Sequence, residues 1–269
     1  MPDPGSAAEA CLRGSRCTPI LDLDCPDTWH PEFNALVSAP EVRKAIRAFM
    51  NAGENACYTF LDEFEKQDQF VDERIAEQLR RQALDVVLSR YRYVAAYHGC
   101  RPRDLSSYRE LGISPSNTEE LLNQARELFA GMPGFEDALE DLEQCSYYRA
   151  HNEGKVWFLF SSNVKEIPGC CHHEGSELIR GIAHRIGPSA QSRFAATGKP
   201  TIIKCAIPIE WLETSAIDSV IGKYARSVIA AVVRSRIWPE KASNAVRGGF
   251  SLTRCVPPEN IMEFIEMSD

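Results

Sequence analysis

The chain has 269 residues, 44% hydrophobic and 25% charged, and a formal net charge of -8 at pH 7. This length carries one large domain, or a catalytic domain with a smaller helical one, and the composition excludes a disordered or fibrous chain. The acidic balance disfavours a broad grip on phosphate backbones, the interaction that dominates non-specific nucleic-acid affinity.

No apolar run reaches the roughly 18 to 20 residues that cross a bilayer. The first residues carry acids and prolines where an export signal needs an apolar stretch, so a soluble chain without membrane attachment is expected, cytoplasmic or delivered into a host cytoplasm. Of the ten cysteines only Cys170 and Cys171 are close neighbours and no C-x-x-C pair occurs, so reduced core thiols are expected and not a disulfide framework.

Residues 1–30 are rich in Pro, Gly, Ser and Asp without sustained periodicity and predict an irregular or partly ordered arm. A helical segment over 31–90 follows. Pro40, prepared by Ser38, opens a helix with Val42, Ile46, Phe49 and Met50 at helical spacing. A second helix is expected over Ala56 to Glu65, with Tyr58, Leu61 and Phe64 on one side. A third runs from Asp72 to about Arg90 through Ile75, Leu79, Ala83, Val86 and Val87. The charges of that helix, Glu73, Arg74, Glu77, Arg80 and Arg81, read as a solvated face with i,i+3 and i,i+4 pairing, with a basic docking face as the lesser option.

Tyr91 to His98 is dense in aromatic and small apolar residues and predicts a buried strand running into a tight turn at His98-Gly99-Cys100. Helices are expected over Asp104 to Leu111, with Gly112 at its end, and over Asn117 to Phe129, capped by Ser116 or Asn117. A Gly-Met-Pro-Gly break at 131–134 follows. Lys155 to Ser161 predicts a second buried strand, Glu177 to Ile186 a short helix closed by Gly187-Pro188, and Thr201 to Ile209 a third strand. A long apolar helix over Ile217 to Ser235 precedes an extended piece from Phe250 to Val256 and a terminal strand after Pro257-Pro258-Glu259-Asn260-Ile261. The order of elements indicates an α+β architecture. The absence of G-x-G-x-x-G after a strand and of G-x-x-x-x-G-K-[ST] argues against Rossmann and P-loop sites.

Tyr97-His98-Gly99-Cys100-Arg101-Pro102 is followed by Tyr108-Arg109-Glu110-Leu111-Gly112-Ile113. Further on come the aromatic run K-V-W-F-L-F-S-S, a strand ending Ile207-Pro208-Ile209, and the late V-P-P-E-N-I. In this order the chain from about residue 91 to 269 resembles the ADP-ribosyltransferase superfamily. The likeness is to its His-bearing, PARP-like and toxin-like branch, where a strand ending His-Gly precedes a helix that closes on Gly-Ile or Gly-Leu. The resemblance implies a split β-sheet catalytic domain over 91–269 that takes NAD as a substrate.

The chemistry of that reaction supplies residue roles. Breaking the bond between nicotinamide and ribose builds an oxocarbenium-like sugar, so NAD must be held rigidly with a carboxylate near the ribose. His98 can hydrogen-bond a ribose hydroxyl, and Gly99 admits backbone groups to the nicotinamide amide. A buried histidine satisfied at a turn is the competing reading of His98, and a hydrolytic nucleophile that of Cys100. Trp157, Phe158, Phe160 and Tyr108 are candidates to stack on the nicotinamide ring, although strand alternation lets only one face of 155–161 serve and each ring also reads as core. Ser161 and Ser162 can bond ribose or amide groups.

In the better-known members of the superfamily the carboxylate lies near the start of a later strand, but Ala245 to Thr253 carries no acid. The expected carboxylate is therefore Glu177, with Glu174 second, in Cys171-His172-His173-Glu174-Gly175-Ser176-Glu177. The same stretch reads equally as a helix start, Ser176 capping and Glu177 favoured by the dipole. Cys170, Cys171, His172 and His173 are competent zinc ligands, but adjacent side chains seldom converge on one tetrahedral ion, so no metal is expected.

The function expected from these residues and the resemblance is NAD-dependent transfer of ADP-ribose to a macromolecular acceptor, protein slightly favoured over nucleic acid, in a bacterial toxin, effector or defence protein. The helical segment would receive a targeting or neutralising partner. The alternatives are a non-catalytic nucleotide- or protein-binding module on the same scaffold, and an NAD glycohydrolase.

Overall fold

The computed structural model describes residues 20–25, 28, 35, 38, 40, 44, 73–143, 152–162, 175–212 and 249–267. The expected helices over Ala56 to Glu65 and Ile217 to Ser235, and the cluster from Cys170 to Glu174, lie outside the described residues. Of the helix expected after Pro40, Pro40 and Lys44 are described, and both are helical.

The chain divides into two compact units, Met1–Ala95 with Ala206–Gly249, and Ala96–Cys205 with Phe250–Asp269.

In the first unit, strand β1 (Ile20–Leu21) runs parallel to the start of β2 (Tyr93–Cys100), with Ile20 opposite Tyr93 and Leu21 opposite Val94. Of the expected irregular or partly ordered arm over 1–30, only residues 20–25 and 28 are described. A strand this short leaves no periodicity in the sequence, and it is defined by partners far along the chain. The turn behind it is held by side chains: Asp22 N–H donates to Thr28 Oγ1 at 3.0 Å, and the Tyr91 hydroxyl donates to the Thr28 carbonyl at 2.8 Å. Helix α1 (Glu73–Arg90) agrees with the third expected helix, and Ala83 and Val87, one turn apart, are buried.

Beyond β2 come helices α2 (Ser106–Leu111), α3 (Thr118–Phe129) and α4 (Phe135–Glu143), strand β3 (Val156–Leu159), helices α5 (Glu177–Ile186) and α6 (Pro188–Ala195), and strands β4 (Thr201–Pro208), β5 (Gly249–Leu252) and β6 (Ile261–Glu266). The strand order is β5-β3-β2-β4-β6. β2 and β3 are antiparallel with Tyr97 opposite Leu159. β4 and β6 are antiparallel from Thr201 opposite Glu266 to Cys205 opposite Ile261, with an irregularity between Lys204 and Cys205. The fold is therefore α+β, an open sheet with antiparallel pairs and helices.

Helices α3 to α6 close a core of their own from Leu122, Ala125, Phe129, Phe135, Leu178, Ile182 and Phe194, among others. The amphipathic spacing explains each of these helices: Leu122, Ala125 and Phe129 lie on one stripe of α3, and Leu178, Ile179, Ile182 and Ala183 on one stripe of α5. Burying each large side chain contributes about 1.5–3 kcal/mol. Asn117 caps α3, its side chain accepting from Glu119 N at 3.0 Å.

The sequence reading missed α4 and α6. After the Gly-Met-Pro-Gly break the chain resumes a helix on Phe135, Ala138 and Leu139, spaced i, i+3, i+4. In sequence, Gly187-Pro188 reads as a helix stop. Gly187 does end α5, but it also precedes α6, whose first residue is Pro188; proline is tolerated there because that N–H has no helical partner.

Gly112 joins α2 to the end of the sheet. Its φ is +78, and a Cβ there would collide with the Val256 carbonyl oxygen. That approach lets Ile113 and Val256 exchange both backbone hydrogen bonds, each 2.8 Å. Among the described residues no helix is long and apolar enough to cross a membrane.

Candidate functional site

In the second unit, Gly175, two residues before Glu177 in the first turn of α5, lies against Arg101, just beyond the end of β2 that carries His98. Side chains alternate along β2 and β3, so with Tyr97 opposite Leu159, His98 lies opposite Phe158 on the same face of the sheet. The two rings confirm it, with centroids 5.8 Å apart and planes tilted by 55°. The His98 Nδ1 is 3.0 Å from the main-chain oxygen of Trp157. A carbonyl only accepts, so this bond places the proton of the neutral ring on Nδ1 and leaves Nε2 with the lone pair.

The aromatic residues sort by face. Phe158 is 1% exposed, Phe160 0% and Phe250 3%. Phe158 stacks on Phe250 at 5.5 Å, and Phe160 meets the same ring at 5.6 Å. The expectation that Phe158 or Phe160 offers a face to nicotinamide is therefore corrected: both rings are core, and neither has surface for a ligand in this conformation. Trp157 is half-buried, and alternation puts it on the face opposite His98. The imidazole and the indole do not share one side of the sheet, which removes Trp157 from the expected stacking role beside His98. Ser161 is buried two residues beyond the end of β3, and Gly99 is half-buried at the end of β2.

Tyr108, on α2, points inward. Its hydroxyl hydrogen-bonds the Cys100 thiol, and burial, followed by that thiol, raises its pKa above the usual phenol value. Burial also pushes the Cys100 thiol up to about 12, against a smaller lowering by Tyr108. Cys205, near Cys100, is likewise pushed up to about 12, chiefly by burial. A thiol so disfavoured as thiolate is no nucleophile near neutral pH, and this argues against hydrolytic chemistry at Cys100. Tyr108, engaged with Cys100, is placed to anchor α2 to the sheet.

Glu177 is exposed in the first turn of α5. Ser176 caps that helix, its hydroxyl oxygen accepting from Ile179 N at 3.4 Å, as expected from the sequence. Glu174 lies outside the described residues.

A joint that the sequence reading assigned no role connects the end of β2 with the turn before α5. Gly175 has φ +107, and a Cβ there would come within 2.8 Å of the Arg101 Cβ and 3.3 Å of the Phe194 ring. Arg101 donates from one guanidinium nitrogen to the carbonyls of Ala195 and Gly198, each at 2.8 Å, and its guanidinium carbon lies 5.9 Å from the centre of the Phe194 ring. Nothing local in the sequence signals a contact between residues 101, 175 and 195–198, since it depends on α5 and α6 folding back to the end of β2.

Among the described residues no group of three or more His, Cys, Asp or Glu side chains is placed to hold a metal ion. Comparison with models of known protein families, with curated proteins and with solved structures returns no match.

Proposed function

We propose that this chain is an NAD-dependent ADP-ribosyltransferase acting on a macromolecular acceptor, a protein in preference to nucleic acid because of its net charge of -8. The observation that carries the reading is the fixed imidazole of His98, with Nδ1 bonded to the Trp157 carbonyl, next to Gly99 at the end of a central strand. The order His-Gly strand, helix ending Gly112-Ile113, aromatic strand and late antiparallel strands supports it.

NAD, when bound, supplies an ADP-ribosyl group through its nicotinamide–ribose bond. The chain's own groups fit part of that ligand. The lone pair on His98 Nε2 suits a ribose hydroxyl donor, and Gly99 offers backbone without a side chain in the way. Glu177, if it faces the ribose, would stabilise positive charge developing there. The buried rings of Phe158 and Phe160 fit it less well, so stacking on nicotinamide is not assigned to them.

A specific observation favours a second reading, a non-catalytic binding module: the sequence from Ala245 to Thr253, which includes β5, contains no acidic residue. Incubating the full chain with NAD and panels of proteins and nucleic acids separates the readings. Nicotinamide release with label on an acceptor supports transfer. Release with free ADP-ribose identifies a glycohydrolase, and intact NAD leaves the binding module. In the first case Glu177→Gln should abolish turnover while thermal stability falls by no more than the roughly 0.3–1 kcal/mol of a helix-dipole interaction. A targeting or neutralising partner for the N-terminal helical segment belongs to the same proposal and is testable by co-purification.

A further inference from the structure

Arg101 is the residue that links the elements on which the proposed site depends. It follows His98 by three positions and leaves the end of β2, where its Cβ and backbone nitrogen lie against Gly175, two positions before Glu177. Its guanidinium then donates to the carbonyls of Ala195 and Gly198, at and just beyond the end of α6. Carbonyls at a helix end carry partial negative charge and lack helical donors, so a cation there satisfies both needs. The Phe194 ring adds a cation–π contact at 5.9 Å. The Gly175 backbone is held at a separation from Arg101 that admits no side chain, with a φ of +107 that favours glycine.

We propose that Arg101 is a positioning residue: by holding the end of α6 and the Gly175 turn against the end of β2, it sets the first turn of α5, with Glu177, relative to His98. The proposal rests on the reading of His98 and Glu177 as parts of one site. It assigns Arg101 no contact with NAD. A guanidinium suits this task because one nitrogen reaches both carbonyls while the planar group lies near Phe194. An ammonium retains the charge and several donors, so lysine should replace it in part.

The test uses the full chain with Arg101→Ala, Arg101→Lys and Gly175→Ala. Amide hydrogen exchange is followed at 176–180 and 196–199, with α3 as an internal reference, alongside nicotinamide release. Arg101→Ala should speed exchange in both segments but not in α3. It should lower kcat on the order of 100-fold with KM for NAD nearly unchanged, the loss expected when groups are displaced by about 1 Å. Arg101→Lys should restore most of both properties. Gly175→Ala, which keeps every charge, should reproduce the faster exchange at 176–180 and the fall in kcat. If Arg101→Ala does not fold, the lysine and Gly175 variants carry the same comparison, each expected to speed exchange at 176–180 over wild type. Unchanged exchange at 176–180 in the variants overturns the proposal, as does a raised KM with unchanged kcat, which would make Arg101 a ligand contact. If the wild-type chain releases no nicotinamide, the transferase reading fails by itself, and the exchange at 176–180 still decides whether Arg101 holds the joint.

Discussion

The imidazole of His98 and the main-chain oxygen of Trp157 are 3.0 Å apart, so this side chain is tied to the neighbouring strand through one nitrogen while the other defines its chemistry. The tie and the binding role can be separated. An asparagine at position 98 can donate to the Trp157 carbonyl but has no counterpart of Nε2. His98→Asn should keep a melting temperature near wild type and lose NAD binding and nicotinamide release. His98→Ala should lose the same functions and also about 1 kcal/mol of stability, the usual net worth of a hydrogen bond. Retained turnover in both variants would remove His98 from the site.

Phe158, Phe160 and Phe250 form one buried stack, so their substitution should act on folding and not selectively on a ligand. Phe250→Ala or Phe160→Ala should cost about 3–5 kcal/mol in urea unfolding. A variant that keeps its full stability but binds NAD more weakly would restore these rings as ligand contacts.

Gly112 is bound by both its φ of +78 and the Val256 carbonyl. Gly112→Ala should destabilise the second unit by at least the roughly 1–3 kcal/mol of a strained backbone. Faster exchange of the Ile113 and Val256 amides, which bond each other's carbonyls, should accompany it. Unchanged protection of those amides would refute the collision.

The thiols of Cys100 and Cys205 are raised from an ordinary 9.0 to about 12 by burial. Between those values the unfolded chain has released protons that the folded chain retains, so rising pH favours unfolding. Their contribution to stability is fully present below pH 9.0 and lost progressively up to about pH 12. Urea midpoints across this range should fall with pH, and less steeply in Cys205→Ala. Alkylation of the folded chain near pH 8 should reach the exposed Cys25 and Cys255 and spare Cys100 and Cys205. Equal labelling of Cys100 and Cys255 would contradict the burial.

The sequence made the amphipathic helices legible because their signal is local. Ser176, Glu177 and Gly187 bound α5 where the cap and stop residues placed it, and Asn117 caps α3. The aromatic run at 155–161 was legible as a strand, but which ring faces which side depends on register, and register is set by Tyr97 pairing with Leu159, 62 positions away, which no local pattern encodes. The same limit hid β1, paired with Tyr93 and Val94, and the Arg101 joint, where residues 101, 175 and 198 meet. The helix over Pro188–Ala195 was lost for a different reason: proline at a first helical position and proline after a last one look alike until the following residues are weighed.

β6 is the last strand on its side of the sheet among those described, and an outermost strand offers unpaired backbone to any similar strand it meets. Here that border carries exposed Glu263 and Glu266, the latter paired with Lys199 at 2.8 Å, and its pairing with β4 shifts between Lys204 and Cys205. Two such borders brought together would oppose the Glu263 carboxylates along an uneven ladder, so fibril growth through β6 is discouraged. Replacing Glu263 and Glu266 with threonine should make concentrated solutions turn cloudy sooner on warming, with the monomer's unfolding midpoint little moved.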